Sequence, residues 1–393
     1  MSNKILILDA RSLSGLAFVR SLGLAGNEIH VGESFKQNLS RYSRFANKSV
    51  VYPNPEDNKE KFHTFIKSLA EREKYDVILP MRDITTVLLS EIQKELSDST
   101  NTLLANPSKI KTLSDKWECE KLANRIDVST PNTYHVSKQP IDEITEVAQY
   151  PVLIKPREES GARGIVRADT PSELKSSYSE FASQEKKPII QEFVNHSGGH
   201  YSIGTVFDEN SNPRAVHVYE ELIQYPDTGG PAIQAKSVEI SPWVHDVLEI
   251  LSEIEWVGPA HMDVLFDPAD EKYKLLEVNP RIWSSINLSI QSGVNIPRII
   301  TQIATSATPP ELQTYDSEMY YRWTLPNELL WVWNRNNKVK ALKQLRTNSA
   351  ADSCHGVLSH RDPTAILGVV AQSLHFVLDK EKRQSVLGRS HDE

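Results

Sequence analysis

The sequence predicts an α/β chain that turns into α+β: a small doubly wound parallel sheet first, then a mixed or antiparallel sheet region, then a mostly helical C-terminal extension. Three observations predict it. Through the first hundred residues, short apolar runs alternate with helical spacings; from Pro151 the runs become short, β-rich and close together; beyond about Ile300 helical spacing and tryptophans take over.

Lys4 to Leu8 is a short apolar strand, Leu13 to Ala25 carries helical spacing, Gly26 stops it, and Glu28 to Val31 resumes as a strand, which makes a βαβ start. A charged helix from Asn58 to Glu73, a strand from Asp76 to Leu79, a helix from Ile84 to Leu96 and a strand from Leu103 to Ala105 continue the alternation. Asn106 and Pro107 mark a boundary, after which one helical stretch from Lys109 to Arg125 leads to a turn at Thr130 and Pro131. The runs PVLIKP, GIVRA, PIIQEFV, HYSIGTVFD and AVHVYEEL follow as strands, and a charged tail begins at Asp379.

A chain of 393 residues can bury two or three cores. The net charge of -8 and the absence of a basic tract argue against a nucleic-acid partner. The opening MSNKILILDARS meets an acid too early for a signal peptide, and the most apolar run, Ala365 to Leu378, contains Gln372, Ser373 and His375 and falls short of the ~20 residues a membrane span needs. Cys119 and Cys354 make neither a disulfide framework nor a zinc ligand set. A soluble cytoplasmic protein with no membrane partner is expected.

HMDVLFD and LLEVNPRIW alternate like strands about a turn-rich DPADEKY, so the simplest register folds them into a hairpin with Asp263 opposite Glu277. Asn279 shares their face, while Met262, Val264, Leu276 and Val278 point to the apolar side. Two facing carboxylates repel, and the arrangement makes sense chiefly with a cation between them; oxygen donors of this kind suit Mg²⁺. Arg281 follows as a fixed positive fork for a phosphate or carboxylate. Upstream, Lys155 ends an apolar strand and Gly161 and Gly164 lie in the loop after it, where backbone N–H groups can approach phosphate oxygens.

Taken in order, Lys116 in SDKWE, Lys155 in VLIKP, the ESGARGI loop, QEFV and the acidic hairpin with NPR resemble the ATP-grasp superfamily, and within it the carboxylate-amine ligases. The resemblance implies a two-lobed ATP-grasp core over residues 107–305, with a nucleotide lobe at 107–187 and a catalytic lobe at 188–305. A Rossmann-like pre-ATP-grasp domain precedes it at 1–106, and a mostly helical extension follows at 306–393. It also implies that Lys116, Lys155 and the loop Gly161, Ala162, Arg163 and Gly164 hold the ATP phosphates. Glu192, Phe193 and Val194 become the hinge beside the adenine, and Asp263, Glu277 and Asn279 become Mg²⁺ ligands, with Mn²⁺ as a substitute. Arg281 becomes the group that steadies the transferred phosphoryl. The expected reaction joins a small-molecule carboxylate to an amine through an acylphosphate, with release of ADP and phosphate. Many relatives place an acid for the ribose hydroxyls where this chain has Gly199 and His200, and Ser284 and Ser285 stand where a glycine is common.

Other residues carry weaker expectations. Lys236, beyond the flexible Gly229–Gly230 loop, is a candidate to hold a substrate carboxylate. Arg82 and Asp83 lie at the carboxyl edge of the first sheet, where open α/β sheets bind ligands, with a helix cap as the rival reading of Asp83. Trp323, Trp331 and Trp333 read as an amphipathic core or a subunit contact, the latter allowing a homodimer. His360, Arg361 and Asp362 copy a kinase triplet by chance, and His196, His200 and His217 have no metal-ligand spacing. Glu33 would serve a dinucleotide ribose if the βαβ unit bound one, but Gly15 alone stands where a fingerprint wants three glycines. Carboxylase chemistry, a small-molecule kinase and a non-catalytic ATP-binding module remain as alternatives.

Overall fold

A computed structural model describes residues 2–96, 100–158, 164–181, 188–227, 229–306, 308, 310–347 and 353–378. The first sheet holds β1 (Lys4–Ile7), β2 (Glu28–Glu33), β3 (Lys48–Val51) and β4 (Val77–Leu79), all parallel, in the order β3-β2-β1-β4. Helix α1 (Leu13–Leu24) connects β1 to β2, α2 (Lys59–Glu73) connects β3 to β4, and α3 (Asp83–Leu96) follows β4. Local chemistry sets these boundaries: the Ser12 hydroxyl accepts the Gly15 N–H at 3.0 Å, and the Asn58 side chain accepts from Lys61 at 2.9 Å. Gly26 ends the α1 turn at φ +85. Leu103 to Ala105 is not a strand. Those residues are buried, and among the described residues the ladder contact nearby is an isolated bridge between Val77 and Asn101.

The stretch from Lys109 to Arg125 is two helices, α4 (Pro107–Ser114) and α5 (Lys116–Arg125). Asp115 breaks it because its carboxylate accepts the N–H groups of Trp117 and Glu118, the local alternative to helix that Asp offers. A four-stranded antiparallel sheet follows, β5-β8-β6-β7, from β5 (Thr133–Tyr134), β6 (Val152–Lys155), β7 (Val166–Ala168) and β8 (Ile189–Glu192). Helices α6 (Ile141–Val147) and α7 (Pro171–Phe181) give it its own core around Ile144, Ile154, Leu174 and Ile190.

The third sheet has seven strands. In it β9 (His200–Phe207), β10 (Pro213–Gln224), β11 (Ala232–Val238), β12 (Gly258–Asp267) and β13 (Lys272–Asn279) run antiparallel, in the order β13-β12-β9-β10-β11. Helix α8 (Pro242–Glu253) covers one face with α4 and α5, packing Val247 and Leu251 near Ile203, Met262 and Val278. The other face shares a core with the first sheet, in which Ile5, Phe18 and Val31 meet Tyr219, Trp283 and Ile299. Trp283 is 1 % exposed, and its ring lies over Gly204, where a Cβ would come within 2.0 Å. Truncating such a ring costs about 3 to 5 kcal/mol.

Helices α9 (Ile286–Ser292) and α10 (Ile296–Thr305) close the core. The C-terminal extension contains α11 (Leu329–Trp333), α12 (Lys338–Thr347) and α13 (Ala365–Leu378), but it also adds β14 (Tyr320–Arg322) and β15 (Cys354–His355) to the edge of the seven-stranded sheet. Both strands are too short to show a period in sequence. Trp331 is buried, whereas Trp333 is 75 % exposed. Asp362 is buried and accepts from Arg20 Nε at 2.9 Å, a structural pair between α1 and the extension. No helix among the described residues is long and apolar enough to cross a membrane.

Candidate functional site

The hairpin of β12 and β13 pairs Asp263 with Glu277, the register its alternation predicts. One detail differs. A bulge shifts the ladder so that Val264 pairs with Leu275, and Leu275 rather than Leu276 takes the buried position beside Val278. The Asn279 amide stands between the two acids, donating to Asp263 Oδ2 and Glu277 Oε1 at 3.0 Å each. Asn279 Oδ1 accepts from the Arg281 guanidinium at 3.3 Å.

Lys116, the first residue of α5, reaches Glu277 Oε2 at 3.3 Å. Lys155 ends β6 in the four-stranded sheet, is buried, and donates to Gln191 Oε1 at 2.6 Å. Burial lowers its pKa to about 8, with the Lys116 charge adding to the effect and Glu277 opposing it. The fold therefore gathers lysines from two elements and acids from a third around one space. Arg157 and Asp115 form a bidentate pair, and Lys116 N–H donates to Arg157 O at 2.9 Å, so the chain around both lysines is tied together.

Gly161, Ala162 and Arg163 lie outside the described residues. Gly164 is described, with φ +65 and Pro156 lying 3.1 Å from where a Cβ would be, so the backbone there needs glycine. At the expected hinge, Glu192 ends β8, its N–H donates to Asn132 O at 2.9 Å, and Phe193 N–H donates to Pro151 O at 3.0 Å. Val194 is buried. Lys274 was not singled out from sequence. Its ammonium, buried, binds Glu192 at 2.9 Å and Asp267 at 2.7 Å, fastening the hinge to the acidic hairpin. A lysine within an alternating strand carries no signal of that role.

Arg281 Nε donates to Asp83 Oδ1 at 2.9 Å, so the first turn of α3 meets the hairpin. Arg82 instead pairs with Glu56 at 3.0 Å. Lys236 is not brought to the acids: register aligns it with Glu220, Tyr201 and Val264, on the face opposite Asp263, and its ammonium binds Glu318 at 2.6 Å. Ser285 donates to Tyr219 OH at 2.8 Å within the core.

His200, expected to be a surface or packing residue or a ribose neighbour, faces Asp263 Oδ1 at 3.7 Å. Burial works against its protonation, but Glu221 first and Asp263 after it push its pKa up to about 9. Burial likewise opposes ionisation of Asp263, yet the facing imidazoles and the Ser202 hydroxyl outweigh it and hold the carboxyl below the usual range. His217 is packed among Ser237, Ser289 and Ser292, and burial alone lowers its pKa to about 3.

Oxygen donors on one hairpin face, with Lys116 from α5 and Lys155 from the four-stranded sheet beside them, fit a metal-bound triphosphate. Residues 113–285 match the family model of the ATP-grasp domain. The chain carries an ATP-grasp domain over these residues. ATP-grasp relatives at low identity include the carbamoyl phosphate synthase large chain of Pyrococcus furiosus, 26% identical over 270 residues, 63% of this chain and 25% of that one. This chain thus spans about a quarter of that relative. The D-aspartate ligase of Enterococcus faecium is 23% identical over 334 residues, 78% of each chain. Among solved structures, the biotin carboxylase domain dimer of Hydrogenobacter thermophilus 2-oxoglutarate carboxylase, in complex with MgADP, ADP and bicarbonate, superposes with a TM-score of 0.64 at 15% identity. That match covers 81% of this chain and 74% of that one. The likeness establishes the fold: a parallel N-terminal sheet, antiparallel ATP-grasp sheets and C-terminal helices.

Proposed function

We propose that this ATP-grasp protein is a carboxylate-amine ligase, with residues 1–106 as the N-terminal domain, 107–305 as the ATP-grasp core and 306–393 as the extension. The observation that carries the reading is the convergence of Lys116 on Glu277 at 3.3 Å while Asn279 joins Glu277 to Asp263. Oxygen donors of Asp263, Glu277 and Asn279 fit Mg²⁺, or Mn²⁺ in its place, and would hold it; when bound, the ion offsets charge on the β- and γ-phosphates. Asn279 must turn its amide to offer oxygen, which frees Arg281 from the 3.3 Å contact.

Lys116 and Lys155 bind the ATP phosphates, Gly161 to Gly164 cover them, and Glu192 to Val194 line the adenine. A carboxylate oxygen of the acid substrate attacks the γ-phosphorus and the bond to ADP breaks. The amine nitrogen then attacks the acyl carbon, phosphate leaves with the C–O bond electrons, and the amine loses a proton. Arg281, aimed by Asp83, offsets charge on the transferring group, a contribution of about 3 kcal/mol for a well-placed donor. Lys236, bound to Glu318 on the opposite face of the sheet, takes no place in the proposal. The match to D-aspartate ligase over 78% of both chains supports a ligase. The dimeric carboxylase domain supports a homodimer, which light scattering on the purified protein tests.

The deciding experiment is a matrix of carboxylates against amines, scored for ADP release with hydroxylamine present. A hydroxamate identifies the acid. ADP release that requires bicarbonate and yields no hydroxamate with any acid would replace the ligase reading with a carboxylase.

A further inference from the structure

We propose that the chain holds a second divalent-cation site, formed by His200 Nε2, a Glu221 carboxylate oxygen and Asp263 Oδ1, which takes a borderline first-row ion of the Mn²⁺ to Zn²⁺ class. It goes beyond the ligase reading and does not depend on it. The three ligand atoms lie within 4.8 Å of one another, close enough to converge on one ion. They come from β9, β10 and β12, adjacent strands of one sheet, so backbone hydrogen bonding rather than loop geometry fixes their spacing.

Two buried imidazole nitrogens have no hydrogen-bond partner and face this point. His200 Nε2 lies 3.7 Å from Asp263 Oδ1, beyond hydrogen-bond reach. His261 Nδ1 lies 3.9 Å from the same oxygen, on a side chain only 9% exposed. Leaving a buried nitrogen unpaired is destabilising, and an ion at this point removes that cost for His200. Ser202 Oγ meanwhile divides one hydroxyl between Glu221 Oε1 at 2.9 Å and Asp263 Oδ1 at 3.1 Å, so two carboxylates share a single proton donor.

The donor set selects the ion. Carboxylates alone suit Mg²⁺, whereas an imidazole nitrogen shifts preference toward Mn²⁺, Co²⁺ or Zn²⁺. The surrounding groups resemble the support that metal-bound histidines receive. Gln224 contacts His200 Nδ1 at 2.7 Å and Glu221 Oε2 at 2.7 Å, holding both side chains. A cavity of about 790 Å³, lined by His200, Glu221, Gln224 and Trp331, opens beside the site and provides a route for the ion and its waters. Asp263 Oδ2 remains directed to Asn279, so one carboxylate serves both positions through different oxygens.

Mn²⁺ added to the nucleotide-free full chain, read by electron spin-echo envelope modulation, tests the site through its nitrogen. The wild type is expected to show ¹⁴N modulation from a directly bound imidazole. His200→Gln is expected to abolish it, Glu221→Gln to weaken Mn²⁺ binding in calorimetry at least tenfold, and Glu277→Gln to leave the modulation intact. No modulation in the wild type, its persistence in His200→Gln, or its loss in Glu277→Gln would overturn the proposal. Catalysis is not among the readouts, so failure here and failure of the ligase reading are distinguishable.

Discussion

Two clusters of buried charge stand at two sheet edges, and they are finished differently. At the carboxyl edge of the first sheet, Glu33 is fully buried and takes both Arg11 Nε at 2.9 Å and Arg11 Nη2 at 2.8 Å. Asp9 beside it accepts from Met81, Arg82, Thr85 and Tyr52. Each carboxylate there is closed by the protein's own donors. Around the β12–β13 hairpin, Asp263, Glu277 and, from β10, Glu221 share two amides, a hydroxyl and one lysine, while imidazole nitrogens face Asp263 without a hydrogen bond. A saturated cluster is a structural brace, and an undersaturated one is a place for a ligand. That distinction separates Glu33 from Glu277 although both are acids on strands, and it removes Glu33 as a ribose ligand: the carboxylate is already spent on Arg11.

The largest expected effect tests the undersaturated side. Glu277→Gln keeps the shape of the side chain and removes one charge, so ATP turnover should fall by about 10³-fold, equivalent to about 4 kcal/mol, with the thermal midpoint unchanged or raised. Retained turnover would take Glu277 out of phosphoryl transfer. Glu33→Gln should do the reverse. Removing one partner of a buried pair costs about 3 kcal/mol, read as a lower denaturant midpoint, while the KM for ATP stays within twofold. A Glu33 variant with normal stability and poor ATP binding would erase the contrast between the clusters.

Lys155 sharpens it further, because burial has left its charge weakly held. A lysine with its pKa lowered to about 8 is charged below that pH and neutral above it, so its help in capturing phosphate is present at pH 7 and lost as pH rises through 8. The kcat/KM for ATP, which reports the free enzyme, should therefore fall up to tenfold per pH unit above 8. Lys155→Arg should move the break upward. A flat profile from pH 7 to 9.5 would show that the ammonium contributes nothing to capture.

Much of this was legible in the sequence where a period carried it. Alternation put Asp263 opposite Glu277 and Asn279 beside them. The bulge at Leu276 was not legible, since one extra residue in a strand changes no composition. Neither was the break at Asp115, where a helix-compatible stretch is divided by one carboxylate capping its neighbours. Glu221, and its proximity to His200, were invisible for a different reason: that proximity depends on which strands pair, and β9 sits between β10 and β12 only in the folded sheet. Lys236 shows the same limit from the other side, because a register of one residue decides which face it occupies.

Asp83 tests how the two edges communicate. It belongs to the first sheet's edge by sequence, yet its carboxylate holds Arg281 Nε at 2.9 Å at the second. The pair is about half exposed on the Asp83 side, so solvent screens it and the pairing itself is worth at most about 1 kcal/mol. Asp83→Asn should accordingly leave stability nearly unchanged and lower kcat by only about fivefold, with the KM for ATP unaffected, because the guanidinium loses its aim and not its charge. Arg281→Lys should cost more, since the ammonium cannot hold Asp83, Asn279 Oδ1 and Ile282 O from one fixed fork. If Asp83→Asn instead matched Arg281→Lys in kcat, the first sheet's edge would be part of the reacting site rather than its support, and the division between brace and site would have to be redrawn through α3.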